Sequence, residues 1–313
     1  VARGIQRFGT LAGLASICLA FAILRPDAFA TGANAANVTQ QMATLAIIAL
    51  AATMVLVIGE FDLSVGFVAS WAGVCVVTLL AAGFGVASAM ALTLTGCAAI
   101  GVVNGALVAL FGVPSFIATL ALGTVISGLS YWVSGGASLF MGIPKAFTAL
   151  ARVEIGPVPV LTVWMLVVLI VFAFLLAQTE FGRRLYAIGG NREAARLSGV
   201  PVSRDVMIAF ALSAGLAGLT GVLLAARLGS VQHTMGDAML LPAYAAAFLG
   251  MTAFREGEAN VAGTLLGVAI IAVLANGLTI LNVAPFYQRM LTGAIIILAV
   301  LLRRAGRLGG RRP

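Results

Sequence analysis

Between Leu63 and Pro144 the chain runs for 82 residues without one Asp, Glu, Lys or Arg. Water-soluble domains carry roughly 25% charged residues, so a stretch of this length has no means of presenting a solvated face. A helix crossing the hydrocarbon core needs about 20 residues. The window therefore holds three spans, broken at Gly83-Phe84-Gly85 and at Gly112-Val113-Pro114. The same bias extends over all 313 residues, of which 62% are hydrophobic and 9% charged, with a mean hydropathy of +1.13. These values exclude soluble, disordered, collagen-like and disulfide-scaffold classes. They predict one all-α integral membrane domain over residues 1–313.

Shorter charge-free windows complete the reading: about ten transmembrane helices, near 8–24, 38–58, 63–83, 86–111, 115–134, 158–178, 206–226, 238–254, 260–281 and 286–302. The eighth is short and reads as a candidate broken helix. The first lacks a small-residue cleavage site and is kept as a membrane helix. Net charge is +8, carried by 17 Arg and one Lys. Because these residues cluster between apolar segments, they are read as the positive-inside signal rather than as a nucleic-acid surface. With the N terminus inside, Arg3, Arg7, Arg183, Arg184, Arg192, Arg196, Arg204, Arg255, Arg303, Arg304, Arg307, Arg311 and Arg312 all fall inside. Arg25, Lys145, Arg152, Arg227 and Arg289 fall outside. This predicts a multi-pass protein of the plasma (inner) membrane with both termini cytoplasmic. Asn104-Gly105 late in helix four and Asn276-Gly277 late in helix nine, each followed by a proline (Pro114, Pro285), fit an inverted repeat of helices 2–5 and 7–10.

The placement of charge also narrows the function. Proton- and ion-coupled carriers keep acidic, His or Lys groups within their spans. In this topology no charged residue lies deep in a helix, and the one His, His233, falls in an outer loop. No Ser/His, Asp/Asp or HExxH constellation stands in the spans, so no catalytic residue is assigned. Cys18, Cys75 and Cys97 make no metal or redox spacing and read as packing residues, so no metal site is assigned. A P-loop needs Gly-Lys-Ser/Thr, and the one lysine sits in Ile143-Pro144-Lys145-Ala146. If ATP drives this chain, a separate subunit binds it.

The longest inner connection, 179–204, carries a fully punctuated short helix. Asn191 is placed to cap it, Glu193 lies in the first turn where the helix dipole favours an anion, and Gly199 takes the position after its end. Pro201 blocks continuation. Ala194, Ala195 and Ser198 make one face small, Leu197 forms an apolar knob, and Arg192 and Arg196 share a face for acidic groups or lipid phosphate. The segment reads either as an interfacial helix on anionic lipid or as a docking helix for a soluble engine.

Glu193-Ala194-Ala195, followed four residues later by Gly199, resembles the coupling-helix motif of ABC importer permeases. Other stretches resemble the ribose-type (branched sugar) branch of that family. Ile58-Gly59-Glu60-Phe61-Asp62-Leu63-Ser64-Val65-Gly66 is similar to its Gly-Gly-Ile-Asp-Leu-Ser-Val-Gly segment. Val113-Pro114-Ser115-Phe116-Ile117-Ala118-Thr119-Leu120 is similar to Val-x-x-Phe-Ile-Ala-Thr-Leu. Phe181-Gly182-Arg183 through Gly199 resembles the family's inner loop, and Gly263-Thr264-Leu265-Leu266-Gly267 the start of its helix nine. The resemblance implies a permease that binds no cofactor itself. It implies two ABC ATPase subunits carrying ATP and Mg, a second permease copy or paralogue, and an extracytoplasmic sugar-binding protein. The longest outer loop, 135–157, is too small for a capture domain and agrees with this. Where the family has Glu near the start of helix eight and a Gly-Gly-Thr-Ser-x-x-Gly-Gly run after it, this chain has Leu241 and Leu249-Gly250-Met251-Thr252-Ala253-Phe254-Arg255-Glu256-Gly257. That departure points from ribose toward another monosaccharide or a polyol. The competing class is a self-sufficient secondary carrier or facilitator for a small polar solute.

Candidate residues of the path follow from polarity in apolar surroundings. Asp62 is expected to cap helix three through the amide of Ser64 or Val65, or to serve in gating beside Glu60 at the inner mouth. Asn104 and Asn276 are expected to bond between helices or to line the path. Gln40, with Gln41 and Thr44, opens helix two as a polar end or a path residue. Phe116 reads as packing or as an inner hydrophobic gate.

Overall fold

The computed structural model describes residues 2–251, 253, 257–295 and 297, and among these the regular structure is almost wholly helical. The elements are α1 (Ala2–Leu24), α2 (Pro26–Phe29), α3 (Gly32–Val57), α4 (Val65–Ala81), α5 (Val86–Ala109) and α6 (Ser115–Ser134). They continue with α7 (Lys145–Arg152), a hairpin of β1 (Glu154–Ile155) and β2 (Val158–Pro159), α8 (Val160–Gln178), α9 (Glu180–Gly190) and α10 (Arg192–Leu197). Last come α11 (Val202–Leu228), a 3-10 turn (Asp237–Met239), α12 (Leu240–Gly250) and α13 (Val261–Ile280), with residues 285–295 helical beyond it. Six of these, α3, α5, α6, α8, α11 and α13, are long and apolar enough to cross a membrane. Shorter apolar helices lie at Thr10–Leu24, Val65–Ala81 and Asp237–Gly250. Thr252, Phe254, Arg255, Glu256, residues 298–302 of the expected tenth helix and Arg303, Arg304, Arg307, Arg311 and Arg312 lie outside the described residues.

The core is built around α3. A helix that is apolar on every side has no preferred water-facing stripe and belongs inside a bundle or in lipid. Residues 43–58 are buried without a break, packed by α8, α11, α12 and α13. Between helices already in lipid, apolar burial gains little, and close approach through small residues supplies the attraction instead. Ala43, Ala46, Ala49, Ala51 and Ala52 provide such a surface on α3. The α4–α11 crossing is tighter still, since a Cβ at Gly221 would stand 1.9 Å from the Ala69 carbonyl oxygen. α5 and α11 run antiparallel, with Gly101 against Phe210, Gly105 against Met207 and Cys97 against Gly218.

Two expected boundaries shift. α3 starts at Gly32 rather than at 38, because the Thr31 hydroxyl accepts from the Asn34 amide at 3.1 Å and caps it. Gln40, Gln41 and Thr44 therefore lie within the helix and do not open it. The expected helix 238–254 starts where it was read, through the 3-10 turn Asp237–Met239, and is short as expected, but α12 ends at Gly250. Gly229, at φ +69°, ends α11, and the chain then runs without helix beside α4. Val231 exchanges backbone hydrogen bonds with Leu139 at 2.8 and 2.9 Å. The Gly236 amide donates to Ser70 Oγ at 2.9 Å, and that hydroxyl donates to Asp237 Oδ1 at 2.8 Å. Buried backbone without helix needs partners for its polar groups, and Ser70 and Leu139 supply them here. The eleven-residue α12 is about 16 Å long at 1.5 Å per residue, half of a span. Asp237, half-buried in the 3-10 turn that leads into α12, is held by this side chain of α4.

Candidate functional site

The 179–204 connection folds as two helices, where the sequence reading expected one. Thr179 Oγ1 caps α9 by accepting from the Gly182 amide at 3.1 Å. Gly182, Leu185 and Ile188 form its buried face. Phe181, Leu185 and Ile188, spaced i, i+4, i+7, are the signal that marks this helix in the sequence. Gly189 sits on the end of α3 so closely that a Cβ there would lie 2.0 Å from the Val57 carbonyl oxygen. Arg184 Nε donates to Asp205 Oδ2 at 2.6 Å, and its Nη1 to Glu180 Oε1 at 2.7 Å. The hydrogen bond to Asp205 leads in pushing the guanidinium pKa further up. Tyr186 donates to the Ala259 carbonyl at 2.9 Å, joining α9 to the approach to α13.

α10 has the expected punctuation. Asn191 Oδ1 accepts from the Ala194 amide at 3.0 Å, Glu193 occupies the first turn, and Gly199 takes φ +84°. Ala195 alone of residues 191–199 is buried, while Ala194 and Ser198 are exposed and Leu197 is 79% exposed. The two arginines do not act as one patch. Arg196 pairs with Glu193 at 3.1 Å, whereas Arg192 Nη1 reaches Glu60 Oε1 at 2.8 Å.

That second pair leads to a dense polar hub between α3 and α4. Every amide from Gly59 to Ser64 is satisfied, as buried backbone demands. Gly59 and Glu60 donate back to the Leu56 and Val55 carbonyls. Phe61 donates to Ser115 Oγ at 3.1 Å and Leu63 to Thr119 Oγ1 at 3.0 Å, both on α6. The Asp62 amide donates to the Tyr244 hydroxyl of α12 at 2.8 Å, and that hydroxyl donates back to the Asp62 carbonyl at 3.0 Å. Phe61 stacks against Tyr244 at 6.1 Å between ring centroids and lies tilted on Phe248 at 6.3 Å.

The Asp62 side chain is fully buried. Its Oδ1 accepts from the Ser64 amide at 3.0 Å and from the Ser64 hydroxyl, and its Oδ2 accepts from Ser213 Oγ of α11 at 2.9 Å. The expected bond to the Ser64 amide is present, but the residue does more than cap. Burial pushes its carboxyl pKa up, opposed by the hydroxyls of Ser64 and Ser213 and by the Ser64 amide. Asn104 Nδ2 donates to Ser64 Oγ at 3.0 Å and so belongs to the same network. Sequence reasoning missed Ser213 and Tyr244. A serine or tyrosine in an apolar helix carries no local mark of a partner more than 150 residues away.

The other expected path residues do not converge. A cavity of about 330 Å³ lies between α3, α12, α13 and the 285–295 helix, lined by Gln41, Met239, Pro242, Gln288, Arg289 and Thr292 among others. Gln41, not Gln40, faces it. Asn276 Nδ2 instead donates to Asn34 Oδ1 at 2.9 Å, tying α13 to the start of α3. Phe116 is 54% exposed on the surface of this chain. Its position in the first turn of α6 turns the ring off the bundle. Among the described residues no three His, Cys, Asp or Glu side chains stand together as a metal site.

The profile of the family described as branched-chain amino acid transport system / permease component matches residues 34–300. The chain is 36% identical over 301 residues to the ribose import permease protein of Bacillus subtilis, covering 96% of this chain and 93% of the relative. It is 32% identical over 301 residues to the D-allose transport system permease protein of Escherichia coli, covering 96% and 92%. It is 33% identical over 299 residues to an L-arabinose ABC transporter permease protein of Azospirillum brasilense, covering 95% and 87%. No solved structure matches the chain.

Proposed function

Since the chain belongs to this family of transport-system permease components, we propose that it is the membrane subunit of an ATP-driven ABC importer for a monosaccharide or related polyol. The observation that carries this is α10, a capped helix that buries only Ala195 and leaves Ala194, Leu197 and Ser198 free for a partner. In this reading residues 191–199 dock on an ATPase subunit, which holds ATP and Mg, and the 179–204 connection faces the cytoplasm. The chain forms the path and performs no hydrolysis. About ten passes, both termini inside, and an inverted repeat of helices 2–5 and 7–10 complete the topology. The uneven distribution of arginine supports the orientation, and Asn104 near the inner end and Asn276 near the outer end of antiparallel-related helices support the repeat. A second permease copy or paralogue and an extracytoplasmic sugar-binding protein are the remaining partners. The names of the ribose, allose and arabinose relatives support the sugar class.

Two experiments test the reading. Purified chain placed alone in liposomes is expected to move no sugar, and solute accumulation by it alone would establish the secondary carrier instead. Glu193→Arg and Gly199→Val are expected to abolish uptake while leaving membrane insertion intact, and normal uptake in both would refute docking through α10.

A further inference from the structure

α10 touches the bundle through an ion pair that does not lead to a helix. It leads to the short segment that hydrogen-bonds four other elements. Arg192 holds Glu60 at 2.8 Å. One residue on, Phe61 lies on Tyr244 and Phe248, and two residues on, the Asp62 amide and carbonyl both engage the Tyr244 hydroxyl. Tyr244 belongs to α12, the half-length helix of the broken span. Two residues before Tyr244, in the first turn of the same helix, Pro242 lines the 330 Å³ cavity together with Met239 just before the helix. Ser115 and Thr119 from α6, Ser213 from α11 and Asn104 from α5 hold the same segment on its other sides.

We infer that residues 59–64 form the mechanical link between the docking helix and the cavity, with Glu60 as the input and Tyr244 as the output. A short helix, entered through a 3-10 turn and preceded by the non-helical 230–236 stretch, is the element of this bundle best suited to shift as a body. A span anchored at full length would have to drag its whole packing surface. A pull on Arg192 moves Glu60, and the satisfied amides from Gly59 to Ser64 leave the segment no local slack in which to absorb that displacement. The tyrosine, bonded to both the N–H and the C=O of Asp62, passes the displacement to α12. Its cavity-facing end carries Pro242. Glu60 and Tyr244 are therefore positioning residues for transport and do not need to touch solute. This rests on the reading of α10 as the docking helix.

Contact alone does not demonstrate coupling, and the test is made on the whole transporter. Permease, ATPase subunits and sugar-binding protein are reconstituted in proteoliposomes, and sugar moved per ATP hydrolysed is measured. Glu60→Arg, which sets two cations against each other, is expected to lower that ratio by about fivefold, the low end of site-to-site coupling. The exchange Glu60→Arg with Arg192→Glu is expected to recover most of it. Tyr244→Phe, which keeps the ring and its packing, is expected to lower the ratio by a similar factor without loss of assembled complex. A wild-type ratio in both Glu60→Arg and Tyr244→Phe overturns the link, and so does a low ratio that the charge exchange fails to recover. Failure of the wild-type chain to bind any ATPase would refute the functional reading itself, which is a different result.

Discussion

Ser213→Ala tests the physical basis of the polar hub. Asp62 is fully buried, and Ser213 Oγ at 2.9 Å is the one partner of its Oδ2 among the described residues. A hydrogen bond to a charged group contributes about 1.5–3 kcal/mol net, which is about a ten- to hundredfold change in the folding equilibrium. Removing the donor raises the Asp62 carboxyl pKa beyond the value that burial already imposes. The variant then holds a proton in a pH window where the wild type has released it. Within that window, which opens at the raised pKa of wild-type Asp62, the cost of the substitution grows as pH rises. The assay is reversible unfolding of the purified permease in mixed micelles, repeated at several pH values in the wild-type and Asp62→Asn backgrounds. With a neutral amide at position 62 the bond is worth about 0.5–1.5 kcal/mol, and the pH-dependent part disappears. A cost below about 0.5 kcal/mol, or an equal cost in both backgrounds at every pH, would show that Ser213 does not stabilise the carboxylate.

Other expectations follow from the same geometry. Gly189→Ala places a methyl 2.0 Å from the Val57 carbonyl oxygen, so α9 must lift from the end of α3 at a cost of about 1–3 kcal/mol, read as faster hydrogen exchange across 180–190. Gly221→Ala, at 1.9 Å from the Ala69 carbonyl, is expected to destabilise the α4–α11 crossing by a similar amount, measured in the same micelle titration. Gly199→Ala forces a side chain into φ +84° and should cost more than about 1 kcal/mol locally, seen as fraying of α10 by exchange while the spans keep their protection. Asn276→Leu removes the bond to Asn34 at 2.9 Å and is expected to cost about 0.6 kcal/mol, the mean for polar contacts between membrane helices.

Chemistry with short reach was legible in the residues themselves. An 82-residue window without charge requires a lipid-embedded bundle whatever its partners, and the Asn191, Glu193 and Gly199 punctuation of α10 depends only on neighbours within one or two turns. The Asp62 bond to the Ser64 amide is equally local. Even α9, which the reading passed over, announces itself in Phe181, Leu185 and Ile188. What the residues could not disclose is which element each polar group would meet. The short, broken character of the eighth helix could be read from the sequence, but Ser70 gives no sign that it will satisfy Gly236 and Asp237, which is seen only where the backbone of 230–236 lies against α4. Likewise Arg192 read as one half of a basic face until Glu60 stood beside it, and the interhelical bond expected of Asn276 had no partner until Asn34 took its amide. Periodicity and capping are properties of neighbours along the chain, whereas a buried carboxylate is tolerable only once helices distant in sequence deliver their hydroxyls to it, and that is decided by packing.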